Sequence, residues 1–198
     1  MRIERSYIYN IVPAIKHARL SHDSLEKSDS EGGDLGKADK ALALRLCRAG
    51  SSHRKFMRQI FIAARVTAKW SWWKEYATYK IGTTENSSST MHTLTKRHLK
   101  PDDFSWYEED LTKYKKSILN DLNILIDKYQ KTKNEKYFQE LIDLLPGSFL
   151  YTRFITLNYE VAINILSERE GHRHPEWEPF CNWIKTLPHS ELIKEGAK

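Results

Sequence analysis

The chain has 198 residues, 40% of them apolar and 29% charged, which suits one globular domain around one core. No apolar run approaches the roughly 20 residues of a spanning helix, and the start MRIERSYIYN lacks the regions of a secretory leader, so a membrane or exported protein is not expected. The net charge of +6 points to an anionic ligand or polyanion, and two cysteines, Cys47 and Cys181, suit a reducing cytoplasm rather than a disulfide framework.

In chain order, Ala14, Ile15, Ala18 and Leu20 predict a short helix ending near Ser21. Residues 21–38 are polar, carry a Gly-Gly pair and read as a mobile loop. The Ala/Leu-rich stretch 37–49 predicts a helix stopped by Gly50. Residues 56–67 are β-branched and aromatic, as in a strand, and 68–80, with Trp70, Trp72, Trp73, Tyr76 and Tyr79, suit a mostly buried helix. Residues 82–92 form a run of Gly, Thr, Asn and Ser. Steps of three and four between apolar positions, from Tyr107 and Leu111 onward, predict a long amphipathic helix over 104–130. A helix at 136–144 is stopped by Pro146-Gly147, a strand fits 150–157, and Asn158 caps a helix over 158–169. Pro175 begins a last helix over 175–186.

Charge is uneven: residues 41–100 hold twelve Lys and Arg against Glu75 and Glu85. That third of the chain is either a solvated basic face or the wall of an anion site. Inside it, hydroxyls and small side chains from Thr83 to Thr90 offer a phosphate the donors it needs, although plain surface loops have the same composition. Arg169 falls three helical turns after Asn158, on the side of Val161, Ala162, Ile165 and Leu166. A cation on an apolar face needs an anion or acceptors, unless it snorkels out at the helix end. His172-Arg173-His174 has no cysteine or carboxylate at ligand spacing, so no metal site is expected. The tryptophan group beside Lys69 and Lys74 can either stack single-stranded bases or pack a core.

The order of these features resembles the flavin-dependent thymidylate synthases over most of the chain. Ala14 to Ser21 is similar to the family's early Ala/Arg-rich helix ending in Ser. Gly50 followed by His53 is similar to its helix, Gly and His before a first long strand. The family signature of Arg-His-Arg, seven residues and Ser falls on Thr78-Tyr79-Lys80 and Ser88. Leu145-Pro146, the segment Leu150–Phe154 and Asn158 resemble its Leu-Pro, strand and Asn-Ala-Arg helix start. Asn164 and Arg169 keep the family spacing, and Trp177-Glu178 resembles its Gln-Trp-Glu. Lys80 is the one cation left of the first signature triplet, Thr90 replaces the later signature Arg, and Glu160 replaces the Arg of Asn-Ala-Arg.

The resemblance implies a single α+β domain with a twisted, largely antiparallel sheet flanked by helices, assembled as a homotetramer with sites between subunits. It implies FAD as hydride carrier, with NADPH and methylenetetrahydrofolate as cosubstrates and methyl transfer to dUMP. Ser87, Ser88 and Ser89 would cradle the dUMP phosphate, with Glu75 near the nucleotide. Arg169 would hold the uracil ring and stabilise charge developing on it. His53, Lys80, Asn158 and Asn164 would face FAD. A catalytically silent nucleotide-binding relative and a single-stranded nucleic-acid module remain as alternatives.

Overall fold

A computed structural model of the chain describes residues 1–106 and 112–198. In chain order its strands and helices are β1 (Arg2–Tyr9), α1 (Ile11–His17), α2 (Lys37–Arg48), β2 (Phe61–Lys69), α3 (Trp70–Tyr76), β3 (Thr83–Ser87), α4 (Thr90–Thr93), α5 (Lys113–Thr132), α6 (Glu135–Asp143), β4 (Leu150–Asn158), α7 (Tyr159–Arg169), α8 (Trp177–Ile184) and α9 (Ser190–Gly196). Among the described residues these give an α+β fold, with a four-stranded antiparallel sheet in the order β1-β2-β4-β3 and flanking helices. None of the described helices is long and apolar enough to cross a membrane.

The described residues gather into two compact units. The larger holds Arg2–Val66, Ala77–Asn86 and Phe154–Lys198. Its core begins on one face of β2, where Ile62, Ala64 and Val66 are fully enclosed, and continues through Ile155 and Leu157 of β4. Most of α7 is enclosed too, from Tyr159 to Ile163 and at Ile165 and Leu166. Among the described residues two buried ion pairs brace this unit. The Arg54 guanidinium donates to both carboxylate oxygens of Glu160, at 2.9 and 3.2 Å, and to the Gly196 carbonyl at 2.9 Å. Asp39, fully buried in α2, accepts from Arg19 at 2.5 Å and from the hydroxyls of Ser28 and Ser30 at 2.6 Å each. These hydroxyls tether the irregular segment 21–38, whose low apolar content leaves polar bonds as its anchors.

The smaller unit holds Thr67–Tyr76 and Ser87–Arg153. Here α5 and α6 pack Leu122, Ile126 and Leu141 against Leu94, Phe104 and Phe149. Thr112 caps the start of α5 by accepting from the Lys115 amide, and Lys133 ends the helix in a left-handed turn with φ 54°. The expected long helix therefore occupies 113–132, while Tyr107 and Leu111, which open its apolar pattern, lie outside the described residues.

Other expectations shift for local reasons. The N-terminal segment forms β1 before the expected helix begins at Ile11. Alternation is broken there by Arg5, which takes a left-handed φ of 53°. The polar run 82–92 contains β3, an edge strand whose side chains are mostly exposed, so no apolar face announces it. A terminal helix, α9, follows Pro188. The tryptophan group divides: Trp72 and Trp73 are enclosed, and the Trp73 indole donates to the carbonyls of Ala68 and Tyr151, both at 3.1 Å, while Trp70 is 46% exposed.

Candidate functional site

Helix α7 positions the first group of candidates, and it starts on Asn158. This residue sits at the end of β4 with φ −111°, and its Oδ1 accepts from the Val161 amide at 2.9 Å. Its Nδ2 is approached closely by the turn that leads into β3: a Cβ added at Gly82 would lie 2.7 Å from it, and Gly82 has φ +79°. Both facts require glycine there. Lys80, two residues earlier, is exposed, and so is Asn164 in the middle of α7.

Arg169 ends the same helix. Its Nε donates to the Tyr79 hydroxyl at 3.0 Å, and Nη1 meets His172 Nε2 at 3.0 Å. The guanidinium carbon lies 4.9 Å from the centre of the Trp177 ring and 5.6 Å from that of Tyr79. The two rings meet edge to face, with centroids 6.0 Å apart. Burial pushes the Tyr79 phenol up, and the hydrogen bond from Arg169 partly opposes that rise. Arg169 therefore keeps to the inward side, as its wheel position predicts, held by aromatic faces and hydrogen bonds that fix its plane.

Beside this helix end, Glu170, His172, Pro175, Glu178, Cys181 and Lys185 line a cavity of about 480 Å³. Lys185 donates to Glu170 across it. Burial pushes the Cys181 thiol up to about 11, so it is neutral at physiological pH. His53 lines another cavity of about 360 Å³, with His17, Ser21, His22, Ser52 and Lys55 around it. The Gly50 turn presents it: the amides of His53 and Arg54 both bond the Gly50 carbonyl.

The remaining candidates belong to the other unit. Ser87 ends β3. The Ser88 amide and hydroxyl both donate to the Thr152 carbonyl, at 2.9 and 3.1 Å. Ser89 precedes α4 and its carbonyl accepts from Thr93. Glu75 is half-buried in α3. Nearby in this unit, Trp70, Thr90, Ile142, Leu145, Pro146 and Tyr151 line a further cavity of about 360 Å³.

The basic stretch 41–100 is partly neutralised by acids from elsewhere in the chain. Arg48 pairs with Glu195, Arg54 with Glu160, Arg65 with Glu4 and Arg97 with Asp103. Sequence reasoning did not find Tyr79, His172 and Trp177 as partners of Arg169. The signals were present, since Trp177 and the Tyr79 position both belong to the resemblance, but no spacing joins residues 90 apart.

No family model matches the chain, and no curated protein matches it. Solved structures do. The flavin-dependent thymidylate synthase of Helicobacter pylori complexed with FAD and dUMP superposes with a TM-score of 0.78 at 17% identity, covering all of both chains. A second structure of that enzyme with FAD and dUMP gives 0.77 at 17% identity, also over all of both chains. A UMP/dUMP methylase of Streptomyces cacaoi bound with 5-Br dUMP gives 0.57 at 15% identity, over 99% of this chain and 94% of that one. The fold is therefore that of the flavin-dependent thymidylate synthases.

Proposed function

We propose that the chain binds a pyrimidine nucleotide and a flavin, and transfers a methyl group to dUMP or a related nucleotide. The observation that carries this reading is Arg169. A guanidinium set at a helix end between two aromatic rings, with its plane fixed by Tyr79, is built to present N–H donors in one direction. A pyrimidine carbonyl gaining charge is a suitable recipient, and a fixed Arg stabilises it without reorganising. Ser87, Ser88 and Ser89 with Glu75 are the proposed nucleotide contacts of the smaller unit, and the Ser88 amide and hydroxyl would exchange the Thr152 carbonyl for the phosphate.

For FAD, the donor set around His53 fits a ligand that combines phosphate with a heteroaromatic ring. Lys55, Ser21 and Ser52 supply cation and hydroxyl donors, while His17, His22 and Phe56 supply ring faces. Lys80, Asn158 and Asn164 are the further proposed contacts. When bound, the flavin supplies hydride transfer. NADPH as reductant, methylenetetrahydrofolate as carbon donor, a homotetramer with sites between subunits and a cytoplasmic location belong to the same proposal.

The absorbance spectrum of the purified protein, with and without added FAD, tests it. An oxidised-flavin spectrum is expected, and a colourless protein that takes up no FAD would sink the flavin part. One observation favours a second reading. Glu160 stands where the resemblance expects an arginine, and Arg54 neutralises it inside the fold. A nucleotide-binding relative without turnover would show thermal stabilisation by dUMP but form no thymidylate when FAD, NADPH and methylenetetrahydrofolate are supplied.

A further inference from the structure

The smaller unit holds an aromatic cavity to which the proposed function gives no occupant. Its lining of Trp70, Thr90, Ile142, Leu145, Pro146 and Tyr151 bounds about 360 Å³, within the size range of ligand cavities. Two rings form part of its wall. The centroids of Trp70 and Tyr151 lie 5.6 Å apart, with the ring planes tilted by 54°. Each ring is also braced by a neighbour. Phe149 meets Tyr151 edge to face at 5.1 Å, and the Arg153 guanidinium lies 5.9 Å from the centre of the Trp70 ring and 4.5 Å from that of Trp73. Trp72 and Trp73 are enclosed, but Trp70 is 46% exposed. An indole held in place and left half open is a stacking platform for a planar ring.

Charge decides what carries that ring. Among the described residues the lining contains no Lys, Arg, His, Asp or Glu. Burial pushes the Tyr151 phenol up, so it too is neutral at physiological pH. A nucleic-acid strand draws its affinity from a track of cations, which this lining lacks. A single uncharged ring fits instead, and the backbone says what it is joined to. Thr90 follows Ser89, and Tyr151 precedes Thr152, whose carbonyl accepts from the Ser88 amide and hydroxyl. The cavity thus adjoins the end of the Ser87–Ser89 run, which offers a phosphate neutral donors only. A phosphate monoester carries about −1.5 to −2 charges at neutral pH and calls for cations, whereas a diester carries about −1. We infer that the cavity takes a planar aromatic group esterified to the nucleotide's phosphate, so that the preferred ligand is a pyrimidine 5′-phosphodiester rather than dUMP itself. This rests on the nucleotide reading above and names its substrate class.

The experiment is calorimetric titration of the full chain, with FAD present, against dUMP and against its methyl and phenyl esters, each formed on the phosphate. The phenyl ester is expected to bind at least about tenfold more tightly than dUMP or the methyl ester, the worth of one stacked ring. Trp70→Ala should remove that preference. Thr90→Arg, which brings a cation to the cavity, should turn the preference toward dUMP, and it decides the question should Trp70→Ala fail to fold. Binding of dUMP with no gain for the phenyl ester would overturn the inference and leave the nucleotide reading standing. So would a phenyl-ester preference unchanged in either variant, or a single-stranded dU oligomer that binds more tightly than the phenyl ester. Binding of none of these ligands would sink the nucleotide reading, and this inference with it.

Discussion

The two ends of α7 each carry an arginine contact, and the contacts differ in kind. At the start, Glu160 is locked to Arg54, with both side chains about one-tenth exposed. At the end, Arg169 lies between the Tyr79 and Trp177 rings and donates to a phenol. The first arrangement joins opposite charges away from water, and its value is mostly negative: breaking it leaves a buried charge behind. The second sets the guanidinium against two ring faces and a phenol, which together fix its direction. The two ends of the helix therefore hold an arginine in different ways, one by charge and one by ring faces. This contrast also explains how an acid is accommodated where the resemblance expects an arginine.

The comparison can be broken most sharply at its stable end. Arg54→Ala leaves Glu160 buried and frees the Gly196 carbonyl, and a loss of about 3–5 kcal/mol is expected in urea unfolding. A loss below about 1 kcal/mol, the value of an exposed pair, would mean that the contact is not structural.

Asp39 offers a second buried carboxylate as a control. Burial disfavours its charge, but the Ser28 and Ser30 hydroxyls and Arg19 outweigh burial and hold the carboxyl below its ordinary value. A lowered folded value means stability that is present above the unfolded value and is lost as pH falls through the folded one. Wild-type stability should therefore fall below about pH 4, and Asp39→Asn should lose about 1–3 kcal/mol at neutral pH while showing a shallower acid slope. Equal acid slopes for the two proteins would contradict the assignment.

At the Arg169 end the proposed function reverses the expected order, with little cost in stability and a large one in binding. Arg169→Ala should lower unfolding stability by only about 1–2 kcal/mol, the worth of two cation–π contacts. The same variant should abolish the dUMP-induced rise in melting temperature, a stabilisation of about 2.7 kcal/mol at a hundredfold excess over Kd. An undiminished rise would remove Arg169 from the nucleotide site. The smallest effect belongs to Tyr79→Phe, which keeps the ring and deletes the hydroxyl. Nucleotide affinity should fall about two- to tenfold, for one hydrogen bond of about 0.5–1.5 kcal/mol. A change confined to stability would make Tyr79 a packing residue only.

Much of the frame is legible in the amino-acid sequence. The helix over 37–48, the strand before Asn158, the cap on α7 and the inward side of Arg169 all follow from local pattern, because each is decided by neighbours within a few turns. The strands β1 and β3 are not legible for a shared reason: each is an edge strand with exposed side chains, so neither shows the apolar alternation of a half-buried strand. The partners in the candidate site are illegible for another reason. Arg54 meets Glu160 across 106 positions and Arg169 meets Tyr79 across 90, and no local rule joins residues so far apart. The basic third hides its partners in the same way, since the acids that pair with Arg48, Arg54 and Arg97 come from outside it.

The two cysteines have a practical consequence. Cys47 and Cys181 are both buried, and burial pushes their thiols up to about 12 and about 11. Alkylating reagents attack the thiolate, so neither residue reacts readily at neutral pH in the folded protein. The natural chain is thus silent toward maleimide and iodoacetamide without any replacement. A cysteine introduced at an exposed position such as Ile81 would be the one labelled, and a spin label or fluorophore placed there could follow the turn that carries Lys80 and Gly82. Uptake of a second or third label per chain would then serve as a direct clock for unfolding.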